Sequence, residues 1–270
     1  MLGFVGLSLL APTGVGGLER RRGGPATAGF QAVDTAMQRR VRGRGGGVAV
    51  VVHDQTVLFR RSYRGLHAST VIPIASASKW LTAATLMTLV DEGRLTLDDP
   101  VSRFLPSFRG DKSSVTIRSL LSHTSGLPDS LCVGDDTTTL RACVDQTAAS
   151  AQPTTGRAFR YSGVGFLVAG RVIEVLTGGS FEQAFEDRIA KPIGMRRTRF
   201  DGTQRGKSQN PDPAASAVST VDDYARFLDM LVHEGMSGTR PILAPASVHE
   251  IERDQVCLLY TSDAADDLTR

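Results

Sequence analysis

The sequence predicts an α+β fold, in which an antiparallel hairpin is followed by a long, mainly helical region. Three observations carry this. Residues 48–53 (Val-Ala-Val-Val-Val-His) form a short apolar run, and residues 56–63 return after the two-residue turn Asp54-Gln55. From Lys79 to Glu92 the apolar residues Leu81, Ala84, Leu86, Leu89 and Val90 recur at helical spacing, until Gly93 supplies a stop. Further helical patterns then fill the chain to about residue 233. At 270 residues, with 41% apolar and 22% charged residues, the polypeptide can bury a substantial core. That composition argues against disorder, collagen-like repeats and a polytopic membrane protein.

The elements follow in order. Apolar residues at 30, 33, 37 and 41 predict a first helix, which the glycines at 45–47 end. The hairpin comes next, then the extended segment Val71-Ile72-Pro73-Ile74 and the helix from Lys79. Asp99-Pro100 and Leu105-Pro106 mark loops, and residues 115–122 read as a short helix. Two helices are predicted over 166–176 and 181–189, separated by Gly178-Gly179. A last one spans 219–233, with Thr220 as cap, Asp222 and Asp223 complementing the helix dipole, and Tyr224, Phe227, Leu228 and Leu231 on its apolar face. No internal repeat is visible.

The ends differ from this body. Residues 1–28 begin with a short apolar stretch like a signal core, followed by a cleavable Ala26-Thr27-Ala28. No basic segment precedes it, and Glu19 to Arg22 lie where neutral residues belong. Export to a periplasmic or extracellular compartment is the expectation. Residues 257–270 break with the preceding pattern and read as a non-native tail, leaving 29–256 as a partial domain. No apolar run reaches the ~18 residues that span a bilayer. The net charge is +3, and Arg20-Arg21-Arg22, Arg39, Arg40, Arg42 and Arg44 stand mostly among glycines rather than aromatics, which speaks against nucleic acid as a partner. Cys132, Cys143 and Cys257 fit no zinc spacing. Cys132 and Cys143 flank a polar loop and read equally well as a short disulfide or as two buried thiols.

The chemistry concentrates in Ile74-Ala75-Ser76-Ala77-Ser78-Lys79. A serine at the start of a helix and a lysine three residues on share one face, so the amine reaches the hydroxyl. The amides and dipole at that helix end disfavour a nearby ammonium and stabilise an oxyanion, which suits a serine nucleophile with a lysine base. The pattern alone is weak, since a capping serine and an exposed lysine would look the same. Its place between an extended segment and an apolar helix is what gives it weight.

Four further stretches, in order and at sensible spacing, resemble the beta-lactamase-related serine hydrolases, a superfamily of class C beta-lactamases, D-Ala-D-Ala carboxypeptidases, D-aminopeptidases and esterases. They are Leu120-Leu-Ser-His-Thr-Ser-Gly-Leu-Pro-Asp129, Asp91-Glu-Gly-Arg-Leu-Thr-Leu-Asp-Asp-Pro-Val101, Phe159-Arg-Tyr-Ser-Gly-Val-Gly-Phe166 and Val218-Ser-Thr-Val-Asp-Asp-Tyr-Ala225. The resemblance covers residues 30–255. It implies a beta-lactamase/transpeptidase-like fold, an antiparallel sheet flanked by helices with a helical insertion. It implies Ser76 as acylated nucleophile, Lys79 as proton acceptor and Tyr161 as second base, with a small-molecule or peptide substrate and no cofactor or metal. It says nothing about oligomeric state. An ester, amide or peptide hydrolase is the first expectation; a beta-lactamase or penicillin-binding enzyme and a non-catalytic cell-wall peptide or partner-binding relative are the alternatives.

Two departures matter. Gly163 stands where the resembled family often carries an asparagine that contacts substrate and helps hold the lysine. The third motif, on a late strand that supplies an oxyanion donor, is not found before the chain ends, so late sheet strands are missing and the polypeptide is expected to be a poor catalyst or inactive. The free edge of the hairpin should then be exposed. His123 with Asp129 suggests a triad, but no G-x-S-x-G elbow exists, and the histidine is assigned to a structural loop. Residues 202–208 are one position short of a phosphate-binding loop and read as surface.

Overall fold

The computed structural model describes residues 28–43, 45–129, 132, 135, 137–150, 158–200 and 210–256. The expected leader, the expected tail with Cys257, and the 202–208 stretch lie outside the described residues.

Helix α1 (Gln31–Arg40) lies beside a hairpin of β1 (Gly47–His53) and β2 (Thr56–Tyr63), paired from Gly47↔Tyr63 to His53↔Thr56. Asp54 and Gln55 both take positive φ, 45° and 61°, the geometry of a two-residue turn whose twist matches the strands. Phe30 stacks on Phe59 at 5.5 Å, and Asp34 accepts hydrogen bonds from Tyr63 Oη and Arg61, so α1 is fastened to β2 by both apolar and polar contacts. β1 is half-buried along its whole length, and among the described residues neither strand has another partner. The half-exposed Leu58 lies on this open sheet.

The helical region is built around α2 (Ser78–Asp91) and α5 (Val164–Thr177), two apolar helices buried on most sides. Leu81, Ala84, Leu86 and Leu89 are wholly inaccessible, as are Leu167, Val168, Val172 and Ile173. Around them stand α3 (Ile117–Leu121), α4 (Leu140–Ala149) and α6 (Phe181–Phe185). Side-chain caps start these helices: Thr116 with Ser119 forms a reciprocal capping box for α3, while Thr139 and Ser180 cap α4 and α6. This is why the predicted 115–122 helix starts late, with Val115 instead holding the amide of Val101. Two glycines bound and pack α5. Gly178, at φ 75°, ends it, and Gly165 lies so close to α3 that a Cβ there would sit 2.4 Å from the Leu120 carbonyl oxygen.

The expected regular helix over 181–189 departs from plan. After α6 the chain widens into a π-helical turn (Glu186–Ala190) and ends in α7 (Lys191–Ile193). Pro192 accounts for this, because it has no N–H to return to Arg188 and its ring crowds the preceding turn. α8 (Val221–Val232) starts as predicted, with Thr220 accepting from the Asp223 amide, and packs against β1. The sequence reading missed α4, α9 (Pro245–Glu252) and two short ladders, β3 (Ile72–Pro73) with β4 (Val218–Ser219), and β5 (Met236–Ser237) with β6 (Arg240–Pro241). It also left the cysteines open. Cys132 and Cys143 form a disulfide, with Cα atoms 5.6 Å apart, which sets aside the reading as free thiols. Among the described residues no single helix is long and apolar enough to cross a membrane.

Candidate active site

The site starts where β3 hands over to α2. Ile74 donates its amide to the Ala217 carbonyl, continuing the β3–β4 pairing by one residue. The chain then turns sharply at Ala75, whose φ of 46° is a left-handed conformation costly for alanine. The surroundings impose it. Ser78 Oγ donates to the Ala75 carbonyl at 2.6 Å and accepts from the Ala217 amide at 3.1 Å, while Tyr224 Oη donates to the Ala77 carbonyl. The result raises Ser76 onto the exposed lip of a short 3-10 turn (Ala75–Ala77) that runs into α2. The first amides of such a helical start have no intrahelical acceptor and face outward.

Lys79, three residues on, is only 8% exposed. Its Nζ donates to Ser76 Oγ at 3.3 Å and to the Ala214 carbonyl at 3.0 Å. The ammonium also lies 4.8 Å from the centre of the Tyr161 ring and 5.6 Å from that of Phe166. Tyr161 is brought in by His123, which grips the backbone on both sides of it. The His123 carbonyl accepts from the Arg160 amide at 2.8 Å, Nδ1 accepts from the Ser162 amide at 3.2 Å, and the two rings meet at 4.5 Å. Residues 76, 79 and 161 are therefore in one place.

The electrostatics differ among these groups. Burial alone would raise the Tyr161 phenol; hydrogen bonding with Ser76 and Lys79 and the lysine charge outweigh it and hold the group below its ordinary value. His123 is pushed down to about 4, chiefly by burial and then by the Lys79 charge, with the Ser162 hydrogen bond opposing. It is neutral at pH 7, with its proton on Nε2, because Nδ1 is an acceptor. Asp129 pairs with Arg160 at 2.8 Å, and the His123 Nδ1 of a triad is already taken by Ser162.

The three residues form one end of a cleft of about 270 Å³. Trp80, Ala83 and Met87 of α2 line it, with Leu97 and Leu121, and so do Arg118, Glu250 and Gln255. Arg118 is bonded to both Asp98 and Glu250, so the cation in the cleft lining is a paired one. Among the described residues no group of three His, Cys, Asp or Glu could hold a metal ion. Sequence reasoning did not find Trp80, Arg118 or Glu250; their only signal was helical spacing from Ser76 for Trp80, and none for the other two. His123 was read as a loop residue, and its ring lines the cleft.

A small antiparallel hairpin beside a helical region built around α2 and α5 is the arrangement of the beta-lactamase/transpeptidase-like fold. The Beta-lactamase family model matches residues 31–257, and the chain belongs to that family. It is 31% identical over 199 residues to penicillin-binding protein 4 of Amycolatopsis lactamdurans, covering 70% of this chain and 46% of the relative. It is 32% identical over 184 residues to esterase EstB of Burkholderia gladioli, covering 57% and 47%. The chain thus spans about half the length of the curated relatives it matches. A solved structure from Bacteroides dorei DSM 17855, provisionally assigned as a beta-lactamase, superimposes with a TM-score of 0.77 at 35% identity, covering 84% of this chain and 70% of that one.

Proposed function

We propose that the chain is a serine hydrolase that forms an acyl-enzyme at Ser76 on an ester, amide or peptide of small size. The observation that carries this is the meeting of Ser76 Oγ, Lys79 Nζ and a Tyr161 phenol of lowered pKa in the lining of one mainly apolar cleft. In the proposed cycle the Lys79 amine takes the Ser76 proton as Oγ attacks the substrate carbonyl. The oxyanion forms beside the Ser76 amide at the helix start. The leaving group departs with a proton passed from Lys79 through Tyr161. Water, deprotonated along the same pair, then cleaves the ester. A phenol that ionises more easily than usual suits this shuttle near neutral pH.

The relatives' names support a hydrolase of acyl compounds without choosing among them. Gly163 removes an amide side chain from the substrate side, which favours an ester or simple amide over a penicillin. The similarity to a penicillin-binding protein keeps the second reading, penicillin acylation, in view. The Cys132–Cys143 bond supports placing the protein in an oxidising, exported compartment as part of this proposal.

The test is covalent labelling with a fluorophosphonate, read by peptide mass spectrometry, which requires nucleophilic attack but no completed cycle. An adduct on Ser76, absent in Ser76→Ala, supports the proposal. An unlabelled Ser76 in folded protein leaves a binding protein instead. A stable adduct with a fluorescent penicillin, with no hydrolysis of a nitrophenyl ester, would favour the second reading.

A further inference from the structure

Lys79 is nearly buried, and among the described residues no carboxylate lies within ion-pair distance of its amine. A charge in that position requires compensation. The segment 213–217 lies along the start of α2. Pro213 accepts from Thr82 Oγ1 at 2.7 Å, Ala214 accepts from Lys79 Nζ, and the Ala217 amide donates to Ser78. This approach is possible because Gly170 of α5 leaves room for the Pro213 ring, which a Cβ would meet at 2.5 Å.

One buried side chain ties that segment into shape. Asp212, 6% exposed, accepts from the Ala214 amide through Oδ1 at 2.7 Å, and its main-chain carbonyl accepts from the Ala215 and Ser216 amides. Through Ala214, whose amide it holds and whose carbonyl accepts from Lys79, its carboxyl is linked to the amine. We propose that Asp212 is a positioning residue for Lys79, fixing the turn that presents the Ala214 carbonyl and supplying the negative charge that balances the amine. Burial raises the Asp212 carboxyl above its ordinary range, with the Ala214 and Ala215 amides and Lys79 pulling the other way. The other titratable groups facing Lys79 are His123 and Tyr161. This inference rests on the hydrolase reading only for its catalytic meaning; the tie to Lys79 stands on the hydrogen bonds through Ala214.

The test is Asp212→Asn, which keeps an acceptor for the Ala214 amide and removes the charge. The chain has four lysines, Lys79, Lys112, Lys191 and Lys207, so protein labelled with 13C at lysine Cε gives four signals, and Lys79→Arg identifies the one of interest. The expected result is a Lys79 titration midpoint about one pH unit lower in Asp212→Asn, with the other three signals unmoved. Circular dichroism establishes that the variant is folded; should it unfold, Asp212→Glu, which retains the charge, is compared with the parent and is expected to keep the midpoint within a few tenths of a unit. An unchanged Lys79 midpoint in folded Asp212→Asn, or a Lys79 midpoint in Asp212→Glu lowered by as much as a unit, overturns the proposal. Failure of Ser76 to label in the parent overturns the hydrolase reading alone, since the lysine titration needs no turnover.

Discussion

Gly165→Ala sets two known effects against each other inside α5. Helix propensity favours alanine over glycine by up to about 1 kcal/mol. Here, however, the new methyl carbon would sit 2.4 Å from the Leu120 carbonyl oxygen and 3.1 Å from its carbon. A normal contact needs roughly 1 Å more, and the obstacle is backbone rather than the end of a flexible side chain. α3 must therefore move, yet it carries the wholly buried Ile117 and Leu120 and leads directly into Ser122 and His123. Overpacking of this kind costs about 1–3 kcal/mol, and forced backbone movement puts it at the upper end or beyond. The net expectation is a loss of about 2 kcal/mol, or roughly 4–8 °C in melting temperature for a domain of this size. Gly179→Ala, where nothing lies within 4 Å, is the control and should melt within about 1 °C of the parent. Thermal melting followed by circular dichroism reads both. A Gly165→Ala protein as stable as the parent, or more so, would show that α3 and α5 are not in the close contact described.

Two more outcomes follow from the same geometry. Opening the Cys132–Cys143 bond by Cys→Ser at both positions frees a loop of sequence separation 11 and should lower stability by about 3 kcal/mol in urea titrations; equal midpoints with and without the bond would refute a stabilising role. His123, at about 4 in the folded chain against an ordinary 6.5, binds fewer protons folded than unfolded between those values. Stability is therefore unpenalised above pH 6.5 and falls as pH drops toward 4, by at most ~1.4 kcal/mol per pH unit from this group. His123→Asn, which tolerates the positive φ of 60° and can still accept from Ser162, should flatten that slope; an unchanged slope would place the pH dependence elsewhere.

Much of this was legible in the residues because it is local. The hairpin announces itself by its apolar runs and turn, α2 and α8 by their spacing and caps, and the Ser76–Lys79 pair by a one-turn offset on a helix. The rest depends on contacts that no window of sequence contains. α4 has a weak apolar stripe and was missed, while Pro192 breaks a pattern that otherwise reads as regular helix. The site shows the same division. Tyr161 was reached through resemblance, whereas the roles of His123 and Asp212 arise from hydrogen bonds to backbone amides. Asp212 in particular reads as an ordinary turn aspartate next to a proline, and only its burial beside α2 marks it out.

The contacts that hold Lys79 join residues 131 to 139 positions apart in the chain. A nascent polypeptide emerging from the ribosome has already released its candidate nucleophile and amine while their supporting carbonyls are still unsynthesised. Until residue 217 emerges, those two groups lack the support of the 213–217 segment. The proposed chemistry at this serine is thereby deferred until most of the described chain is present, a delay written into the order of the segments.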